Sequence, residues 1–212
     1  GWAMTHSSLA PMTLGGEPTV VYCGSGGVAG ISLRDGRILW ETEQWFIRTA
    51  MVPTPVVLPG NRIFLSGGYN AGSLMLQLER QGGNWVPREL FRLPPRVFGS
   101  DQQTPIFYEG YIYGVRPGGE LVCIDLNGNE RWSSGTTRRF GIGPYVIADG
   151  LIFVVSDNGT LTMVEARPDA YRELATARVL AGPDAWGPIA VAGGRIIVRD
   201  MHRMVCLDLR ER

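Results

Sequence analysis

The sequence predicts an all-β fold, a β-propeller built from four-stranded antiparallel blades. Three observations carry this. Apolar runs of about five residues, the usual strand length, follow one another, bounded by "EG", "DG", "NG" or "GG" turns of the kind that close β-hairpins. The same phrases recur, as in "PIFYEGYIY", "PYVIADGLIF", "PIAVAGGRII" and "PVVLPGNRIF". Finally, the proline that opens each unit returns at Pro11, Pro55, Pro105, Pro144 and Pro188, at spacings of 44, 50, 39 and 44 residues. A repeated antiparallel unit of this length reads as a propeller blade, which cannot bury its two apolar faces alone.

The blades fall at about residues 8–43, 53–94, 103–134, 143–180 and 187–209 of one domain, 1–212. The first opens loosely with "PMTLGGEPTVVY". The clearest is the third: "TPIFY", "YIYGV", "ELVCIDL" and "NERWS". In the fourth, "RPDAYRELATARVL" has helical composition, but its position makes it the outer strand. The fifth shows three strands, "PIAVAGG", "RIIVRD" and "MVCLDL", and the sequence stops before a fourth. One large aromatic recurs near the end of each unit: Trp40, Trp85, Trp132 and Tyr171. Trp2 is the N-terminal candidate for the fifth blade's missing aromatic. The ring is expected either to close imperfectly as five blades or to hide its open edges by self-association.

Composition narrows the function. The chain of 212 residues is 44% hydrophobic and 19% charged, which is globular. Its formal net charge is zero, so nothing favours a nucleic-acid partner or an anionic membrane. All 20 basic residues are Arg, which excludes lysine Schiff-base chemistry and a phosphate-loop lysine. No apolar run reaches the roughly 20 residues of a membrane span. No signal peptide is visible, and the start at Gly1 suggests a processed or cloned segment. Three cysteines without a CxxC spacing argue against a disulfide framework or a thiolate metal site.

The phrases "SLRDGRILW", "VCIDLNGNERW" and "ADGLIFVVSDNGTL" resemble the pyrroloquinoline-quinone-like (PQQ-like) repeat over essentially the whole chain. The chain resembles the C-terminal part of uncharacterised PQQ-like propellers labelled putative dehydrogenases. That resemblance implies a fragment of a seven- or eight-bladed propeller from an exported or periplasmic bacterial protein. It allows two functions: a non-catalytic propeller that binds a ligand or a protein, or a quinone-dependent dehydrogenase using PQQ with Ca²⁺. The chain departs from the enzymes. It has no adjacent cysteine pair, no matching Glu-Asn-Asp calcium set, and Leu33 stands where the repeat carries an acidic residue. The binding reading is preferred, with catalytic residues unassigned and no metal site. A hydrolase or lyase using His6 or His202 ranks last.

Individual residues are weighed on the same terms. Trp40, Trp85 and Trp132 are expected to pack between blades. Cys123 and Cys206, in the matching phrases "VCID" and "VCLD", read as buried core residues. Arg199 and Asp200 read as a local ion pair. "SGGYNAGS" is a turn, since it leads into a strand and not into the helix that a phosphate cradle needs. Arg138 and Arg139 are a solvated pair or an anion site. In a four-stranded blade, the blade-to-blade connections and the second-to-third strand turns share one face. That face collects His6, Ser7, Arg48, Asp101, Gln102, Gln103, Arg138, Arg139 and Trp186 from connections, and Tyr69, Arg116, Asp157 and His202 from turns. The candidate ligand-binding residues are His6, Arg48, Asp101, Gln102, Gln103, Arg139, Trp186 and His202. The partner is a small anionic molecule, matched to the guanidinium fork, or a protein.

Overall fold

The computed structural model describes residues 1–210. These residues hold nineteen strands and no helix, so no helix is long and apolar enough to cross a membrane. The strands form five antiparallel sheets, each in simple chain order. The first holds β1 (Ala10–Leu14), β2 (Glu17–Gly24), β3 (Gly27–Ser32) and β4 (Ile38–Thr42). The second holds β5 (Val56–Leu58), β6 (Arg62–Gly67), β7 (Gly72–Gln81) and β8 (Asn84–Leu93). The third holds β9 (Ile106–Tyr108), β10 (Tyr111–Val115), β11 (Leu121–Asp125) and β12 (Glu130–Ser133). The fourth holds β13 (Tyr145–Ala148), β14 (Leu151–Val155), β15 (Thr160–Glu165) and β16 (Glu173–Arg178). The fifth holds β17 (Ala190–Ala192), β18 (Arg195–Arg199) and β19 (Met204–Asp208). The five sheets are the five predicted blades, the last with three strands among the described residues.

The chain divides into two compact units, Gly1–Phe107 and a second beginning at Tyr108, so the division falls within β9. In the first unit the core joins two sheets: Leu14, Val21 and Val28 pack with Ile63, Leu65, Leu74, Leu76 and Leu78. In the second, Phe153, Val155 and Leu161 of the fourth sheet pack with Ile196 and Val198 of the fifth. Middle strands such as β6, β10 and β14 are buried on both faces, so they read as continuous apolar runs, whereas β18 alternates exposed and buried residues. β14, with sequence LIFVV, has four fully buried residues after its first.

A β-bulge recurs where the third strand meets the fourth. The register shifts at Gly30/Ile31, Met75/Leu76, Cys123/Ile124 and Met163/Val164. Each fourth strand spends one extra residue there, Leu39, Leu90, Arg131 or Leu174. A bulge of this kind increases the local twist. The residue opposite the first bulge position is Trp40, Phe91, Trp132 or Ala175.

This corrects the expected series of aromatics. Trp40 and Trp132 are equivalent, but Trp85 and Tyr171 are not their counterparts. The β7–β8 hairpin is longer than the others, so Trp85 sits at its far end, opposite Arg80. There it packs on Gly15 of the first sheet, with the Arg80 guanidinium 5.0 Å from its ring centre. Tyr171 precedes β16 and packs edge-on against Trp132 at 5.7 Å. The composition of "RPDAYRELATARVL" does not prevail: its 173–178 portion is β16, paired along β15. Trp2 is not the fifth sheet's missing aromatic. It lies over the β2–β3 turn, where a Cβ on Gly26 would come within 2.2 Å of its Nε1.

Two further expectations fail for local reasons. Cys123 is buried, as expected, but Cys206 is exposed, since among the described residues β19 has a neighbour on only one side. Asp200 does not pair with Arg199. Its Oδ1 accepts the backbone N–H groups of His202 at 2.8 Å and Arg203 at 2.7 Å, closing the β18–β19 turn.

Candidate functional site

The connections that leave the blades fold back onto second-to-third strand turns. In the first unit the Ser100 N–H reaches the Gly67 carbonyl at 3.4 Å, and the Asp101 carboxylate lies over Gly68, where any Cβ would come within 2.4 Å of it. In the second, the Phe140 N–H donates to the Gly119 carbonyl at 2.7 Å. The Trp186 Nε1–H donates to Asp157 Oδ1 at 2.9 Å. Gly159, at φ +85, lets the Leu180 backbone approach so closely that a side chain there would collide with it. Within each unit, connections and turns therefore lie side by side, as strand reversal requires.

In the first unit this juxtaposition forms a cavity of about 230 Å³ lined by Met4, Thr5, His6, Ser25, Phe46 and Arg48. Its wall is held by backbone. The His6 N–H donates to the Met51 carbonyl at 3.1 Å, and Thr5 Oγ1 donates to the Cys23 carbonyl at 2.5 Å. The segment "WFI" alternates: Trp45 and Ile47 are buried, so Phe46 is turned outward and is 51% exposed. Met4, at 91% exposure, stands beside it. Arg48 is exposed and has no ion pair among the described residues. The cavity is thus a mixed aromatic, thioether and guanidinium surface.

In the second unit a cavity of about 300 Å³ is lined by Pro117, Gly119, Arg139, Gly141, Ser156 and Asp157. Its charges are largely engaged. Glu120 lies 3.2 Å from Arg116 and 3.9 Å from Arg139, and Arg138 lies 3.0 Å from Glu173. Asp157 Oδ1 also accepts the Ile142 N–H at 2.9 Å. Arg138 and Arg139 therefore face carboxylates of the chain itself.

Of the candidate residues, His6, Arg48, Asp101, Gln102 and Gln103 belong to the first unit, and Arg139, Trp186 and His202 to the second. The structure brings His6 together with Arg48, and Asp157 with both Arg139 and Trp186. Asp101 is half-buried and desolvation raises its carboxyl pKa. Ser100 Oγ donates to the Gln103 carbonyl, and Gln102 is exposed. His202 is exposed on its turn. Met4, Phe46 and Glu120 were not singled out from sequence. The alternation Trp45-Phe46-Ile47 was the available signal for the second of them.

Cys23, Cys123 and Cys206 lie on strands of three different sheets. Among the described residues no three His, Cys, Asp or Glu side chains are placed to hold a metal ion.

Repeated four-stranded antiparallel sheets in simple chain order are the blades of a PQQ-like β-propeller repeat protein. The sequence profile of the family described as outer membrane protein assembly factor BamB matches residues 2–127, more than half of the chain. The chain belongs to that family. It is 24% identical over 173 residues to the outer membrane protein assembly factor BamB of Moranella endobia (strain PCIT), covering 76% of this chain and 42% of that protein. Among solved structures it is similar to BamB from Moraxella catarrhalis (TM-score 0.66, 14% identity, 96% of this chain and 56% of that one). It is also similar to AztD of Citrobacter koseri (TM-score 0.59, 15% identity, 96% and 56%). A computationally designed protein, Ika8, shares the fold (TM-score 0.60, 11% identity, 91% and 55%). The chain thus spans about half the length of the relatives it matches. Family membership agrees with the exported or periplasmic bacterial setting that the repeat implied.

Proposed function

We propose that this chain is the binding part of an assembly-factor-like propeller. It holds a partner protein on the connection face and performs no chemistry of its own. The observation that carries this is the exposed set Met4, Phe46 and Arg48 around the first-unit cavity. Aromatic residues, Met and Arg are the side chains enriched at protein interfaces, where Lys is depleted. The polar groups of the second-unit cavity hold loops in place, so they support a rigid display surface and not a reacting centre. Arg48 supplies the anion-seeking element and is matched to a carboxylate of the partner. The family's printed role, outer membrane protein assembly, sets the class of partner to try first.

The test is co-purification from envelope extracts of the source bacterium, with the wild-type chain and the Phe46→Ala/Arg48→Ala variant as baits. Hot-spot truncations of this kind cost about 2 kcal/mol or more, roughly 30-fold in affinity. The wild type is expected to retain outer-membrane assembly components and the variant to lose them. Equal recovery by a correctly folded variant contradicts the assignment.

A further inference from the structure

We propose that the second unit's cavity at Arg139 and Asp157 binds a small zwitterionic α-amino acid, its carboxylate on Arg139 and its ammonium on Asp157. The site lies in the other unit from Phe46 and Arg48, so it is independent of the partner-protein reading. The cavity holds about 300 Å³, the lower end of small-molecule pockets, which run to about 1,000 Å³. Arg139 and Asp157 both line it, carry opposite charges, and are not in ion-pair contact with each other. Opposite charges held apart in one small cavity are matched by a ligand that carries both.

The chain itself keeps the two apart. Asp157 lies in the turn from β14 to β15, and its Oδ1 accepts the Ile142 N–H at 2.9 Å and the Trp186 indole N–H at 2.9 Å. Two donors on one oxygen fix the carboxylate, so it does not swing towards Arg139. Its Oδ2 accepts no hydrogen bond among the described residues. That oxygen lies against Gly141, where a Cβ would come within 1.8 Å of it, and φ +64 favours glycine there. Any side chain at this position would cover Oδ2. Arg139 is placed by backbone: it bridges to Glu120, and the Phe140 N–H donates to the Gly119 carbonyl at 2.7 Å. Its Nη2 meets Glu120 only at 3.9 Å, and Arg116 holds that carboxylate more closely, at 3.2 Å. The rest of the Arg139 fork is uncommitted among the described residues.

Asn158 completes the set. Its Oδ1 accepts the hydroxyls of Ser156 at 2.7 Å and Thr160 at 2.9 Å and the Thr160 N–H at 3.2 Å. The amide is thereby oriented, and its Nδ2 donors have no acceptor among the described residues. The wall thus offers guanidinium and amide donors to a carboxylate, and one carboxylate oxygen to an ammonium. Charge-assisted hydrogen bonds are roughly twice as strong as neutral ones, and partners fixed in advance lose less freedom on binding. A simple anion would face Asp157 Oδ2 as a like charge, and a simple cation would face Arg139.

The isotope-labelled native chain is titrated with L-alanine at pH 7 through about 1–20 mM, the range for a ligand of so few atoms. The backbone amide signals of Gly119, Gly141 and Ile142 are followed by NMR, and a saturable shift of these signals is expected. Propionate lacks the ammonium and ethylamine lacks the carboxylate. Each is expected to bind at least about tenfold more weakly, the loss of one charge-assisted contact. Asp157→Asn keeps an oxygen for the two N–H groups and puts an amide nitrogen where Oδ2 stood. Arg139→Gln removes the charge from an exposed side chain. Both variants are expected to lose alanine binding by at least the same factor. If Asp157→Asn loses the native amide spectrum, Arg139→Gln alone decides. No saturable shift with alanine overturns the proposal. So does equal binding of propionate, which marks a simple anion site, equal binding of ethylamine, which marks a simple cation site, or unchanged alanine binding in Arg139→Gln.

Discussion

Trp40 and Trp132 occupy the same place in two sheets but differ in one hydrogen bond. The Trp132 Nε1–H donates to the Arg167 carbonyl at 2.7 Å, whereas the buried Trp40 Nε1–H has no acceptor among the described residues. Replacing either indole by phenyl removes similar volume. That costs about 1–2 kcal/mol, scaled from the 3–5 kcal/mol of full truncation to alanine. Trp132→Phe adds the lost hydrogen bond, about 0.5–1.5 kcal/mol. It also disturbs packing with Tyr113 at 6.0 Å and Tyr171 at 5.7 Å. Trp40→Phe instead relieves a buried unsatisfied donor, whose desolvation costs about 1–3 kcal/mol. The expected losses are therefore about 1.5–3.5 kcal/mol for Trp132→Phe and between about −2 (a gain) and +1 kcal/mol for Trp40→Phe. Native-state amide exchange reads each sheet separately, at Val122 and Ile124 for the third and Ala29 and Ile31 for the first. Equal losses, or a larger loss at Trp40, refute the reasoning.

Gly30→Ala is expected to destabilise the first sheet by about 1–3 kcal/mol through overpacking, because its Cβ would lie 2.0 Å from Trp40 Nε1; urea denaturation measures this. Burial pushes the Cys23 and Cys123 thiols up to about 12. One thiol, Cys206, is therefore expected to react with a disulfide reagent at pH 8 in the folded chain, and all three in denaturant. The His202 and Arg203 backbone N–H groups hold the Asp200 carboxyl below its ordinary value. Its folded pKa is thus depressed, so its contribution is complete above the unfolded value of about 3.9 and is lost as pH falls through the folded one. Asp200→Asn is expected to flatten the acid limb of stability against pH, and an unchanged limb would contradict this role.

The blade repeat was legible because its signals are local. Each hairpin announces itself by a turn dipeptide, and each middle strand by an apolar run, as in "GLIFVV". The bulge was not legible, since it is a relation between two strands, and the residue at the Trp40 position varies from Trp to Phe to Ala. Trp85 misled because five extra pairs beyond the bulge in the β7–β8 hairpin move an aromatic to a different neighbour without changing its spacing in sequence. Cys206 misled because burial depends on a strand beside β19, which the matching phrase "VCLD" does not encode. At the connection face the turn-and-connection topology was readable from strand reversal. Which charges stay free was not. Arg139 meets Glu120 through folding, while Arg48, one residue beyond a buried Ile47, is left to solvent.

Photo-crosslinking inside the living cell tests the central claim most directly. A photoreactive phenylalanine analogue replaces Phe46 on the connection face in one variant, and Leu33, 60% exposed in the β3–β4 turn, in another. If the connection face holds a partner protein, position 46 yields one discrete heavier adduct containing an outer-membrane assembly component, and position 33 yields none. Adducts of the same mass and yield from both positions, or from position 33 alone, contradict it.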